Sequence, residues 1–307
     1  MTLLAKKERT SRAETGDALP ARPFSNRRNW DWLGMLPFIL FGLLLLILPS
    51  ITIFFRSFES PEGGFTINNI LEIFRRSDLL NSYKNSLIIS LLTALVGALW
   101  GFLIAYAVIS GGLPRRLRNF VLTFSGVASN FAGVPLAFAF IATIGNTGLI
   151  TRAVNYLTGI NVVQHGWKVY NVWGLSAVYL YFQLPLMILV ISPALDGLKR
   201  EWREASDTLG GTGWHYWRHV GIPILLPAVL GSTILLFGNA FGAYATAYAF
   251  AGSSLNLVTI VIGAQISGDV LFNPGLGNAL ALGMILIMSL SLYGYMYLMR
   301  TAARWTR

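Results

Sequence analysis

Cysteine is absent from this chain of 307 residues, which excludes disulfides, thiolate metal sites and cysteine nucleophiles. Charge is scarce as well. Asp, Glu, Lys and Arg make up 12% of the residues, roughly half the share usual in a soluble domain. No Gly-Lys-Ser/Thr phosphate loop occurs, so the chain does not bind ATP in the P-loop manner and any nucleotide energy must come from another polypeptide. What is abundant is apolar: 54% hydrophobic residues and a mean hydropathy of +0.59. The net charge of +10 does not point to nucleic acid, because the basic residues fall in short blocks between long apolar runs.

A bilayer core of roughly 30 Å takes about 20 helical apolar residues, since the segment must satisfy its own backbone N–H and C=O groups. Six segments qualify, at about 33–55, 86–109, 120–144, 173–195, 224–250 and 278–299, and none contains Asp, Glu, Lys or Arg. The expected fold is therefore all-α, a polytopic membrane protein with six transmembrane helices. The absence of an intramembrane charge counts against a proton pump or ion-coupled carrier. Seventeen of the 23 Lys and Arg lie in the 1–32 tail, the 110–119 and 196–222 loops and the C-terminus, which places both termini in the cytoplasm.

Residues 1–32 have no apolar period and are expected to be a disordered cytoplasmic tail; 33–307 form the transmembrane domain. The first apolar run is too long for a signal-peptide core, is interrupted by Pro37 and Pro49, and is expected to be retained. Trp30, Trp32 and Trp305 flank the outermost spans as interfacial anchors.

The most organised loop is 196–222. Leu198, Trp202, Ala205 and Leu209 recur at helical spacing and predict an amphipathic helix, ended by Gly210 and Gly211. A second short helix is expected from about Thr212 to His219, before Pro223 re-enters the membrane. From period and charge alone, an interfacial helix packed under the bundle fits equally well. His215 and His219 are four apart, but Tyr216-Trp217-Arg218 between them supplies no Glu and no third ligand is evident. A membrane-embedded hydrolase built on this pair is thus disfavoured, and no metal or other cofactor is expected. His165, alone on the opposite side, reads as a packing or hydrogen-bonding residue.

Glu204-Ala205-Ser206, then Gly210, then Val220-Gly221-Ile222-Pro223 resembles the EAA loop of the inner-membrane permease subunits of binding-protein-dependent ABC importers, Glu-Ala-Ala, three residues, Gly, nine residues, Ile, any residue, Leu-Pro. Ser206, Val220 and Ile222 depart from that pattern with residues of similar size, and the spacing is intact. The resemblance implies the type I importer fold, a place in the bacterial cell inner membrane, and a loop that docks as a coupling helix on a separate cytoplasmic ATPase. Glu204 would be its polar contact, and Ala205 and Ser206 would allow close seating. It also implies a second permease subunit, identical or paralogous, and an extracytoplasmic solute-binding protein.

Candidate cargo contacts are the neutral polar and aromatic residues of the later spans, Asn130, Gln183, Asn239, Tyr244 and Tyr248. Each is equally a helix-packing residue. The stretch Asn130 to Pro135 with Gly145 to Ile150 resembles permeases for polyamines, ferric ion and related solutes, giving a polyamine-like cargo as the expectation, held by cation–π contacts. The competing reading is an ATP-independent channel or secondary carrier.

Overall fold

A computed structural model describes residues 31–60, 63–160, 163–164, 168–267 and 272–304. The tail before Asp31, Trp30, Trp305 and His165 lie outside the described residues. The first span forms α1 (Asp31–Gly42), a π-helical turn (Leu43–Ile47) and α2 (Leu48–Arg56). Pro37 and Pro49 fall inside this continuous run rather than ending it.

From Ile53 onward the chain forms a second compact unit. Its helices are α3 (Asn68–Arg75), α4 (Ser77–Ser110), α5 (Arg115–Asn130), α6 (Val134–Ile144), α7 (Leu149–Thr158) and α8 (Val172–Asp196). They are followed by α9 (Arg200–Thr208), α10 (Gly213–Tyr216), α11 (Ile222–Phe241), α12 (Tyr244–Ala251), α13 (Val258–Ser267) and α14 (Pro274–Arg304). Among the described residues, six helical segments are long and apolar enough to cross a membrane, the number expected, but the third is Val134–Thr158 instead of 120–144.

The centre of the bundle is α4 against α8, with α11 packed on both. Its cause is a stripe of small residues on α4: Ser82, Ser86, Ser90, Ala94, Gly97, Ala98, Gly101 and Ala105 are all buried and recur every three or four residues. In lipid there is little hydrophobic gain from joining two apolar helices, so close backbone approach and dispersion supply the association. The approach is tight at Gly101, where a Cβ would lie 2.6 Å from Met187 Cβ and 3.1 Å from the Leu184 carbonyl.

Two expected spans are broken. The third divides at Phe131–Gly133 into α5 and α6, with Gly133 at φ 76°. Pro135 follows in the first turn of α6, where a missing N–H costs nothing, rather than kinking a continuous span. The fifth ends at Phe241, not near residue 250, and the chain then makes α12 and α13, bent by 86°. Gly252-Ser253-Ser254 forms a short 3-10 turn between them. Sequence hydropathy runs smoothly through Gly242-Ala243 because the short helix beyond the break is apolar like the span before it. The N-terminus of α13 is held to α4 by side chains: Ser86 accepts from the Val258 N–H at 2.9 Å, and Asn85 Nδ2 donates to the Asn256 carbonyl at 3.1 Å.

The second helix of the 196–222 loop is not separate from the fifth span either. After α10 the chain passes through a π-helical turn, Trp217–Gly221, directly into α11. Pro223 cannot donate to a carbonyl four residues back, and the wider turn absorbs that loss, with the Ile222 N–H bonded to the Trp217 carbonyl. Gly221 permits it, since a Cβ there would lie 2.7 Å from the Trp217 ring.

Candidate functional site: an exposed loop and a polar groove

The loop between α8 and α11 is anchored at both limbs. Asp196, at the end of α8, accepts two bonds from Nη2 of Arg118 on α5, at 2.7 and 2.6 Å. Trp217 packs edge-on against Tyr106 of α4, with ring centroids 5.1 Å apart. Between α9 and the bundle lies a polar cavity of about 520 Å³ lined by Tyr106, Asp196, Arg203, Glu204, Asp207 and Trp217.

Between those anchors α9 stands free: none of its residues is buried. Its C-terminus is closed by a Schellman turn. The Gly211 N–H bonds the Ser206 carbonyl at 2.9 Å, the Gly210 N–H bonds the Asp207 carbonyl at 3.0 Å, and Gly210 takes φ 76°. Around Gly210 a side chain would meet nothing within 4 Å, whereas at Gly211 a Cβ would lie 2.7 and 2.8 Å from Ser206 Oγ and O. The structure thus places steric sensitivity at Gly211 and leaves Gly210 a purely conformational requirement. Thr212 then caps α10, its hydroxyl accepting from the His215 N–H.

Of the apolar stripe read from the sequence, Leu198 precedes α9 and packs against the core of the bundle, while Trp202, Ala205 and Leu209 lie outside that core. Trp202, Ala205, Ser206 and Leu209 line an open groove of about 530 Å³ with His215, His219 and Val220 on its far wall. Leu209 is 88% exposed. This helix therefore offers its apolar side outward instead of burying it under the bundle. Glu204 reaches back along the helix to Arg200 at 3.2 Å, and both stay largely exposed.

The candidate cargo residues separate into three places. Asn130 and Asn239 line one groove of about 870 Å³ between α5, α8, α11 and α14, together with Ser129, Ser289 and Tyr295. No Asp, Glu, Lys or Arg is among the described residues that line it. Tyr244 and Tyr248 stack on each other on α12 at 5.5 Å, both exposed. Gln183 is fully buried instead: its Nε2 donates to Thr93 Oγ1 at 3.1 Å, and its Oε1 finds no donor among the described residues. Polar identity alone did not distinguish a groove residue from a helix-contact residue.

Sequence reasoning passed over the residues that join the two breaks. Thr246, buried on α12, accepts from the Gly133 N–H at 2.8 Å, and Tyr179 on α8 donates to the Ala243 carbonyl at 3.1 Å. Arg118 and Asp196 were also missed, although two opposite charges at the same end of a charge-poor bundle were a usable signal.

Residues 97–307 match the family described as binding-protein-dependent transport system inner membrane component. A probable sulfate transport system permease protein of Anthoceros angustus is 23% identical over 215 residues, covering 66% of this chain and 66% of that protein. A molybdenum transport system permease protein of Mycobacterium bovis is 25% identical over 216 residues, covering 70% of this chain and 76% of its own. In the crystal structure of a bacterial ABC transporter involved in alginate import, one chain shares the fold with a TM-score of 0.68 at 17% identity, covering 91% of this chain and 97% of that one.

The polyamine-like expectation does not survive these comparisons, because these relatives are named for sulfate and molybdenum. The physical reason lies in the segment that suggested it. Asn130 Nδ2 bonds the Gly126 carbonyl of its own helix, Gly133 turns the chain, and Thr151 Oγ1 bonds the Gly145 carbonyl. That stretch carries a helix break, and Asn130 at its start also lines the groove between α5, α8, α11 and α14. The channel or secondary-carrier alternative is likewise not favoured. The chain belongs to the binding-protein-dependent transport system inner membrane component family, and is a multi-pass permease subunit of an ABC importer.

Proposed function

We propose that this permease is driven through the α9 loop by a separate cytoplasmic ATPase, with Glu204, Ala205, Ser206, Gly210, Val220, Ile222 and Pro223 forming the coupling element. The observation that carries this reading is the exposed, rigidly capped α9. Its apolar groove is open, and the two limbs of the loop that carries it are fixed to α5 through Asp196 and to α4 through Trp217. A helix that only filled space beneath the bundle would bury Trp202 and Leu209. On this reading both termini lie in the cytoplasm, a second permease subunit completes the path, and an extracytoplasmic binding protein delivers the solute.

The cargo is a small inorganic anion of the sulfate or molybdate class, by the names of the relatives. The groove containing Asn130 and Asn239 supports this through neutral donors, the Asn239 amide, the Ser289 hydroxyl and the second N–H of the Asn130 amide, while the Ser129 and Tyr295 hydroxyls are turned to backbone carbonyls. Tyr244 and Tyr248, exposed on α12 outside that groove, are proposed as further contacts for the solute, while Gln183 contributes to helix contact.

The absence of cysteine makes the test clean: Ala205→Cys introduces the sole thiol of this chain. Co-expressed with the ATPase and treated with a short thiol crosslinker, the variant is expected to give a covalent adduct with an ATPase carrying one cysteine in its docking groove. A complex that co-purifies intact, yet yields no adduct from Ala205, Leu209 or Trp202 positions, overturns the reading.

A further inference from the structure

His215 and His219 are unused by the coupling reading, and their geometry is specific. Both are exposed on the far wall of the groove beside α9, with rings stacked at 6.0 Å and 14° apart in plane. The Nδ1 atom of each already has a partner: His219 Nδ1 lies 3.1 Å from the His215 carbonyl, and His215 Nδ1 lies 2.9 Å from Thr212 Oγ1. A carbonyl only accepts, so the neutral ring of His219 carries its proton on Nδ1 and has Nε2 as its ligating nitrogen. The Thr212 hydroxyl can accept in the same way from His215. Partners of this kind are what orient a ligating imidazole and fix its tautomer.

We propose that His215 and His219 hold one imidazole-preferring divalent transition-metal ion, of the Zn²⁺, Ni²⁺ or Cu²⁺ class, through their two Nε2 atoms. Water fills the remaining positions. With metal–nitrogen bonds of about 2.0–2.1 Å and a roughly tetrahedral angle, two imidazole centroids sit about 5 Å apart. Reaching that from stacked rings at 6.0 Å takes a closure of about 1 Å together with rotation of the ring planes until the two Nε2 lone pairs converge, a motion open to two exposed side chains. Among the described residues no third His, Cys, Asp or Glu joins the pair, so the site is a two-ligand surface clamp and not a hydrolytic centre. Hard cations such as Mg²⁺ and Ca²⁺ are excluded by the all-nitrogen donor set. Since the ion would sit in the groove assigned above to the ATPase, that reading further implies that metal and ATPase compete.

The test uses the full chain, free of any histidine tag, in lipid nanodiscs, titrated with Zn²⁺ or Ni²⁺ against a chromophoric chelator. One equivalent is expected to bind, with affinity falling at least tenfold in His215→Gln and in His219→Gln and unchanged in His165→Gln. Thr212→Val is expected to weaken binding by about tenfold while Thr212→Ser retains it, the mark of an orienting partner. Size-exclusion profiles matching the parent protein show that the variants fold. No stoichiometric binding, or binding indifferent to both histidines, overturns the proposal. The titration needs no ATPase, so its outcome is separate from that of the coupling reading; failure of added ATPase to displace bound metal would count against the docking groove alone.

Discussion

The end of α9 offers a graded test of whether the loop must be rigid to transmit force. Gly210 sits at φ 76°, and a Cβ placed on it would find no atom within 4 Å, so replacing it costs conformation and not space. An L-residue in the left-handed region costs about 1–2 kcal/mol, less for Asn and more for a β-branched residue. That energy lowers the ratio of capped to frayed ends by a factor of about 5–30. Gly211 differs in kind. Ala there collides with the Ser206 carbonyl at 2.8 Å, on the backbone that accepts its own N–H, and the last turn of α9 must move. Overpacking of that sort costs about 1–3 kcal/mol. The assay is solute imported per ATP hydrolysed in proteoliposomes holding permease, ATPase and binding protein. Gly210→Asn is expected near the parent value, Gly210→Ala several-fold lower and Gly210→Val lower still. Gly211→Ala should be no better than Gly210→Ala, and the thermal stability of the bundle should stay unchanged throughout. An equal ratio for Asn and Val at 210 would refute the claim that the left-handed turn matters.

Three further outcomes follow from the bundle. Gly101→Ala is expected to destabilise the detergent-solubilised protein by about 1–3 kcal/mol; Met187→Ala should not restore the melting temperature, because the clash at 2.6 Å is with Met187 Cβ, which alanine keeps. Gln183→Met removes a buried carbonyl that has no donor while preserving volume, so the melting temperature should stay level or rise; a clear fall would mean that the oxygen has a partner. Thr246→Val strands the Gly133 N–H and should cost about 1–3 kcal/mol, with faster deuterium exchange at Gly133, whereas Thr246→Ser should leave both unchanged.

Six apolar runs without a charge were sufficient to read the number of spans, because inserting a charge is costly and composition records that cost directly. The α9 turn was readable for a similar reason: Gly210-Gly211 after a helical period names its own backbone geometry. The interruptions at Phe131–Gly133 and Gly242-Ala243 were not readable from hydropathy, which averages across them. Asn130-Phe131-Ala132-Gly133-Val134-Pro135 did hold a local sign, glycine two residues before proline, but the same residues also resemble particular cargo carriers, and that likeness hid the break. Among candidate path residues, Gln183 could have been assigned to the interior by register. It stands four residues after Tyr179 and four before Met187, both buried on the same side of α8.

The bond from Gly133 to Thr246, with Tyr179 reaching the Ala243 carbonyl, rivets together the two places where the backbone of this protein is interrupted. An interruption left alone is a loose joint, at which a push from one end dissipates. Fastened in this way, the start of α6 is tied to α12 and the entry to α12 is tied to α8, so each break is buttressed by a hydrogen bond worth about 0.5–1.5 kcal/mol net.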